Sequence, residues 1–183
     1  MSEDLPTEDE AINLLRKVGC SKKVINHCIA VSKLATDLAK KLVEKGIKVD
    51  LQLVKVGALL HDIGRARTHT VDHVIVGSEI AKSLRLPKSV ISIIERHVGG
   101  GITDEEAEKL GWPKGVYMPQ TLEEKLVCYA DKLIDGNKVV TIERTIEEFS
   151  LKIGRDHPAL ERIRRLDEEM RNLLENCGRR QTS

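Results

Sequence analysis

Residues 54–65 read VKVGALLHDIGR. The apolar run Val54 to Leu60 has the character of a buried helix, and it ends on an adjacent His61-Asp62 pair followed at once by Ile63-Gly64-Arg65. Neighbouring His and Asp offer an imidazole nitrogen and a carboxylate oxygen to one cation, and such mixed N/O ligation suits first-row transition metals. The stretch therefore predicts a helical protein with metal chemistry at the end of one helix. The remaining ligands must come from elsewhere in the chain.

Working outward, the chain reads as helices. Thr7-Glu8-Asp9-Glu10 is a capping box opening a short helix that Gly19 ends. A long helix runs from Ser21 to Gly46, with Val24, Cys28, Val31, Ala35, Leu38 and Leu42 at three-and-four spacing and Lys33, Asp37 and Lys41 outside. Asp50 caps the helix that carries the His-Asp pair. A fourth helix begins near Asp72, and a fifth, entered through Pro87, breaks at Gly99-Gly100-Gly101. Capping boxes at Thr103 and Thr121 open two more, and Thr141 to Ile153 and Pro158 to Cys177 complete the set. No stretch alternates with a two-residue period, so an all-α, single-domain helical bundle without strands is expected. Its expected parts are an N-terminal helix (1–20), a metal-binding core (21–140), C-terminal helices packed on it (141–178) and a disordered tail (179–183).

Composition agrees. With 183 residues, 40% of them hydrophobic and 32% charged, the chain can bury one sizeable core. Thirty basic and 29 acidic residues leave a net charge of +1, so no global field favours nucleic acid or a membrane surface. The opening MSEDLPTEDE is acidic where a secretory signal is basic and then apolar, and no run approaches the roughly 18 apolar residues of a membrane span. A cytoplasmic location is expected. Cys20, Cys28, Cys128 and Cys177 lie far apart with no C-x-x-C spacing, which reads as free thiols.

Several ionisable residues occupy positions where aliphatic ones belong. His27 lies between Val24 and Val31 on the inner stripe of its helix; His73 precedes Gly77, Ile80, Ala81 and Leu84 at helical spacing; His97 follows Val90, Ile93 and Ile94. Asp131 is flanked in the same way by Val127 and Ile134, and an ionised carboxylate there needs a compensating cation. Any one of these alone reads more simply as a hydrogen-bonded core residue. Together with His61 and Asp62 they form a set drawn from five helices, as in bundles that hold metals on inward positions. His69, in the polar RARTHT loop, and His157, before Pro158, read as surface or capping residues.

In order and context, His27, His61-Asp62 and Asp131 resemble the H…HD…D signature of the HD-domain superfamily of metal-dependent phosphohydrolases, and LLHDIGRAR resembles its HDIG-type subgroup. The match covers roughly residues 22–140. The resemblance implies an all-helical fold and hydrolysis of phosphate esters, often in nucleotides. His73 and His97 match the two additional histidines of the dinuclear branch, which implies two divalent metal ions. On that reading Asp62 bridges them, His27, His61 and Asp131 complete one ion's protein ligands, and His73 and His97 hold the second. Iron or manganese suits this set, with magnesium, cobalt, nickel or zinc as alternatives. The family position after HDIG is frequently Lys and here is Arg65, which keeps the charge and changes the grip on an anion.

Paired divalent ions lower the pKa of a shared water and neutralise phosphoryl oxygens, so Asp62 and Arg65 are the expected catalytic residues and the metals replace a side-chain nucleophile. Arg65 leads the candidates for a substrate phosphate, ahead of Lys132 and Arg96, with His69 near enough to approach a small phosphorylated substrate. The same ligand set also occurs in a minority branch of mixed-valence di-iron oxygenases, and a third reading is a nucleotide-binding module without turnover. Trp112 and Tyr117, in GWPKGVYMPQ, anchor a long connection or, alternatively, stack on a base. No P-loop or GxGxxG is present. The C-terminal run ALERIRRLDEEMRNLLENC reads as a packed terminal helix, with homodimerisation as the alternative.

Overall fold

A computed structural model describes residues 4–176. The helices are α1 (Glu8–Val18), α2 (Lys22–Glu44), α3 (Leu51–Leu60), α4 (His73–Ser83), α5 (Lys88–Arg96), α6 (Asp104–Lys109), α7 (Leu122–Lys132), α8 (Ile142–Ile153) and α9 (Pro158–Asn176). Short 3-10 turns at Ile63–Ala66 and Val98–Gly100 follow α3 and α5. Cys177 and the tail lie outside the described residues.

Local chemistry sets the helix starts. Thr7, Thr103 and Thr121 each accept from the backbone N–H three residues on while Glu10, Glu106 and Glu124 reach back, three complete capping boxes. Ser21, Asp50 and Thr141 cap α2, α3 and α8 through their side-chain oxygens. The stripe Val24, Cys28, Val31, Ala35, Leu38 and Leu42 of α2 is buried, each larger aliphatic contributing about 1.5–3 kcal/mol. It packs on α3 and α7, so these three helices form the frame on which the others rest. The core has two lobes, one centred on α2, α7 and α9 and the other on α1, α3 and α5.

One departure from the expected architecture is a hairpin, β1 (Ile134–Asp135) paired antiparallel with β2 (Lys138–Val139). Its strands are two residues long, too short for alternation to reveal, and the local signal is the Gly136-Asn137 turn with Gly136 at φ +60. The apolar stripe of α9, Leu160, Ile163, Leu166 and Met170, is buried within the chain, which fits the packed terminal helix. Cys20, Cys28 and Cys128 are buried free thiols. Trp112 donates to Asp72 (2.7 Å) and stands edge-on to the buried Tyr117, so both anchor the connection before α7.

Glycines let α3, α4 and α5 approach closely. A Cβ on Gly64 would overlap the carbonyl oxygen of His73 and come within 2.7 Å of the Gly77 amide nitrogen. Gly77 in turn faces Ile94 on α5. The turn after the His-Asp pair is thereby pressed backbone to backbone against the start of α4.

Candidate metal centre

That approach gathers the six residues of the expected set. His61 ends α3 with Asp62 beside it, His73 begins α4, His97 ends α5, and His27 and Asp131 face inward from α2 and α7. His61, Asp62, His73 and His97 are 0%, 4%, 2% and 1% exposed. Ligating atoms of His27, His61 and Asp131 lie within 4.8 Å of one another, as do those of His61, Asp62 and His97. His73 joins through its Nε2, which is 3.1 Å from Asp62 Oδ1 and 3.1 Å from His97 Nε2. The two oxygens of Asp62 divide the set. Oδ2 faces His61 (3.7 Å) and His27 (3.9 Å), whereas Oδ1 faces His73 and His97 (3.1 and 3.5 Å).

Every imidazole of the set is oriented by a backbone carbonyl. His61 Nδ1 donates to Ala58 O (2.6 Å), His73 Nδ1 to Thr70 O (2.7 Å) and His97 Nδ1 to Ile94 O (2.9 Å). Two of these acceptors belong to the last turns of α3 and α5, whose carbonyls lack helical partners. His27 Nδ1 instead reaches Gly136 O, 2.8 Å away at the tip of the hairpin. A carbonyl cannot donate, so each Nδ1 carries the proton and each neutral ring presents a lone pair on Nε2. Lone pairs therefore meet lone pairs: His73 Nε2 against His97 Nε2, and His73 Nε2 against Asp62 Oδ1, are close in distance without a proton between them. His61 Nε2 and Asp62 Oδ1 are buried with no hydrogen-bond partner among the described residues. Such an arrangement is unfavourable alone and suits cations placed among the acceptors.

Charge agrees with geometry. Burial works against the Asp62 carboxylate, but the adjoining imidazoles of His61, His73 and His97 reverse this and hold it well below the usual range. Burial opposes Asp131 too, and Lys132, His27 and His61 overcome it. His97 is pushed down to about 4, chiefly by burial, so its ring is neutral at physiological pH. For His27, burial lowers the pKa but the neighbouring Asp131, 3.0 Å away, outweighs it and raises the value above 6.5. A proton and a metal ion then compete for His27 Nε2. Metal affinity should be full above that raised pKa and fall about tenfold per pH unit as pH drops through it. Calorimetric titration with Mn(II) at about pH 8 and about pH 6 checks this, and equal affinities would remove His27 from the ligand set.

Around the set, the expected substrate contacts separate. Arg65 donates through Nε to Asp62 Oδ2 (2.8 Å) and through Nη1 to the His69 carbonyl (3.2 Å), so it balances the central carboxylate as well as edging the cavity. Buried Lys132 holds Asp131 Oδ2 at 2.5 Å and the His97 carbonyl at 3.2 Å. Asp131 keeps its pKa raised and the ammonium charged despite burial. Arg96 lies outside the cavity: its Nη1 grips both oxygens of buried Glu124 (2.8 and 3.0 Å), and its Nε bonds Val116 O. A buried carboxylate demanded that guanidinium, which sequence spacing does not reveal. A cavity of about 520 Å³ opens over His73, His97 and Asp131, with Arg65, His69 and Lys132 at its edge. Phe149, Ile153, His157 and Arg162 also line it, four residues that the sequence reading did not assign to a site.

The chain belongs to the HD domain family, whose model matches residues 24–135. Over 166 residues, 91% of this chain and 98% of the relative, it is 47% identical to an uncharacterized protein of Methanocaldococcus jannaschii. It is 38% identical over 175 residues to a tRNA (cytidine(56)-2'-O)-methyltransferase of Picrophilus torridus; the match takes in 96% of this chain and 48% of that protein, so the chain spans about half of that relative's length. The HD domain of the L. monocytogenes phosphodiesterase PgpH, solved in complex with cyclic-di-AMP, has a similar fold, with a TM-score of 0.53, 19% identity and coverage of 93% of this chain and 99% of that one. No helix among the described residues is long and apolar enough to cross a membrane.

Proposed function

We propose that the protein is a metal-dependent phosphohydrolase acting on the phosphate ester of a nucleotide or another small phosphorylated metabolite. The observation that carries this reading is the convergence of four Nε2 lone pairs on two carboxylates, with His61 Nε2 and Asp62 Oδ1 unpartnered, at the floor of an open cavity. His27, His61, Asp62 and Asp131 would hold one divalent ion, and Asp62, His73 and His97 a second, with iron or manganese the best match to the donors. Bound there, divalent ions supply Lewis acidity toward phosphoryl oxygens and lower the pKa of water. The remaining work falls to the chain. Arg65 and Lys132 bring positive charge to the cavity edge, while the buried Nδ1–carbonyl bonds fix the rings so that no reorientation accompanies turnover. Membership of the HD domain family and the shared fold of a phosphodiesterase domain support phosphate-ester chemistry.

The test is phosphate release from a panel of nucleotides and phosphomonoesters, with protein loaded separately with Mn, Fe, Mg or Co. Release that depends on the metal is expected, and His69→Ala should keep the full metal content because His69 lies in the loop outside the set. Oxygen consumption by the iron-loaded protein, with no phosphate released from any ester, would contradict the reading.

A further inference from the structure

Resting on the phosphohydrolase reading, we infer that the cavity selects its substrate through an apolar wall to which α8 contributes Phe149 and Ile153, and that these two residues recognise a planar nucleobase attached to the phosphate. One end of the cavity is ionic: His73, His97 and Asp131 meet Lys132 and Arg65 there. The rest of the lining is mixed: Arg162 is paired with Glu106, and Lys109 and His157 stand beside apolar residues. Val98, Ile102, Leu110, Phe149 and Ile153 turn aliphatic and aromatic surface toward the space above the metal ligands. Leu110 and Ile153 are 42% and 39% exposed, two of the chain's exposed large hydrophobic residues, and both stand in this wall. Apolar surface gathered around a concave site marks the place of an apolar ligand group.

Phe149 makes that group planar. It is the only phenylalanine of the chain, in a protein with 2% aromatic residues. The Lys132 ammonium, bonded to Asp131 on the metal side, lies 5.9 Å from its ring centroid. The ring is half-buried and lines the cavity, so one side chain links the charged floor to the apolar wall. A ligand with phosphate at the ionic end and a flat ring against Phe149 satisfies both halves, and a volume of about 520 Å³ lies within the range of small-molecule pockets. A sugar phosphate leaves the wall facing hydroxyls. Phe149 and Ile153 also lie beyond the residues, 24–135, that the family model matches. The α8 part of the wall thus comes from a stretch of chain outside the matched HD core, while Val98, Ile102 and Leu110 come from within it.

AMP and ribose 5-phosphate share the sugar and the 5-phosphate and differ at C1, which carries the base in one and a hydroxyl in the other, so they make the matched probes. In calorimetric titrations of the full chain, with and without Mn(II), AMP should bind about ten- to a hundredfold more tightly than ribose 5-phosphate, the fold-change of one base stacked on an aromatic side chain. Phe149→Ala should shrink that ratio to within about threefold, and Ile153→Ser, a change at a partly exposed position, should lower it in a folded protein. Leu151→Ala, 75% exposed on the same helix, should leave it unchanged. Equal affinities in the parent protein, binding of neither probe, or a ratio that survives both wall substitutions would overturn the inference. Phosphate release measured in parallel separates it from the reading beneath it. Base-dependent binding without release from any ester of the panel rejects the hydrolase and keeps the wall, whereas equal kcat/KM for both esters rejects the wall and keeps the hydrolase.

Discussion

Asp62→Ala should yield a folded protein that no longer holds metal at the centre and has lost about a thousandfold in phosphate release. The rate follows from the several kcal/mol of charge stabilisation that bound metal provides, each 1.36 kcal/mol being about tenfold. Of the two carboxylates in the set, Asp62 is the one whose two oxygens face different histidines, His27 and His61 on one side and His73 and His97 on the other. Removing it takes away the negative charge that both halves of the set share. Folding should persist, because the change also removes a buried anion and leaves Arg65, whose side chain is 29% exposed, able to reach water. Circular dichroism and elemental analysis of the variant give the two readouts. A normal metal load would remove Asp62 from its bridging place.

Gly64→Ala should be nearly as severe by a different route. The added Cβ would collide with the His73 carbonyl and crowd the Gly77 amide, both backbone atoms that cannot rotate aside. Overpacking against a side chain commonly costs about 1–3 kcal/mol, and a backbone collision belongs at or above the upper end of that range. The thermal midpoint should fall by at least about 6 °C, and the separation of α4 from the end of α3 should weaken metal binding in whatever remains folded. Thermal denaturation of the parent and variant measures the first effect and Mn(II) titration the second. An unchanged midpoint with unchanged affinity would mean that the turn and α4 do not depend on this close approach.

These two positions also show what can be read without coordinates. Asp62 and the histidines stand out because a polar side chain at a helical apolar spacing carries its direction with it, and helix starts stand out because capping boxes are local; Thr7, Thr103 and Thr121 all form them. Gly64 was visible as a residue but its reason was not, since the Cβ clash involves a segment nine residues later folded back upon it. Features set by distant partners stayed hidden. Arg96 reads in the sequence as available for a phosphate, whereas in the fold buried Glu124, 28 positions away, holds it. The hairpin at 134–139, with two-residue strands, leaves no periodicity, yet its Gly136 carbonyl orients His27 across 109 positions of chain. Phe149 sits in an ordinary amphipathic helix, and only the docking of α8 beside the centre turns it toward the cavity.

The central claim is that four imidazoles and two carboxylates from five helices share a pair of metal ions. Anomalous diffraction at the manganese edge from crystals grown with Mn(II) tests it most directly. Two peaks are predicted, one among His27, His61, Asp62 and Asp131 and the other among Asp62, His73 and His97. A crystal saturated with Mn(II) that shows no peak among these residues would contradict it.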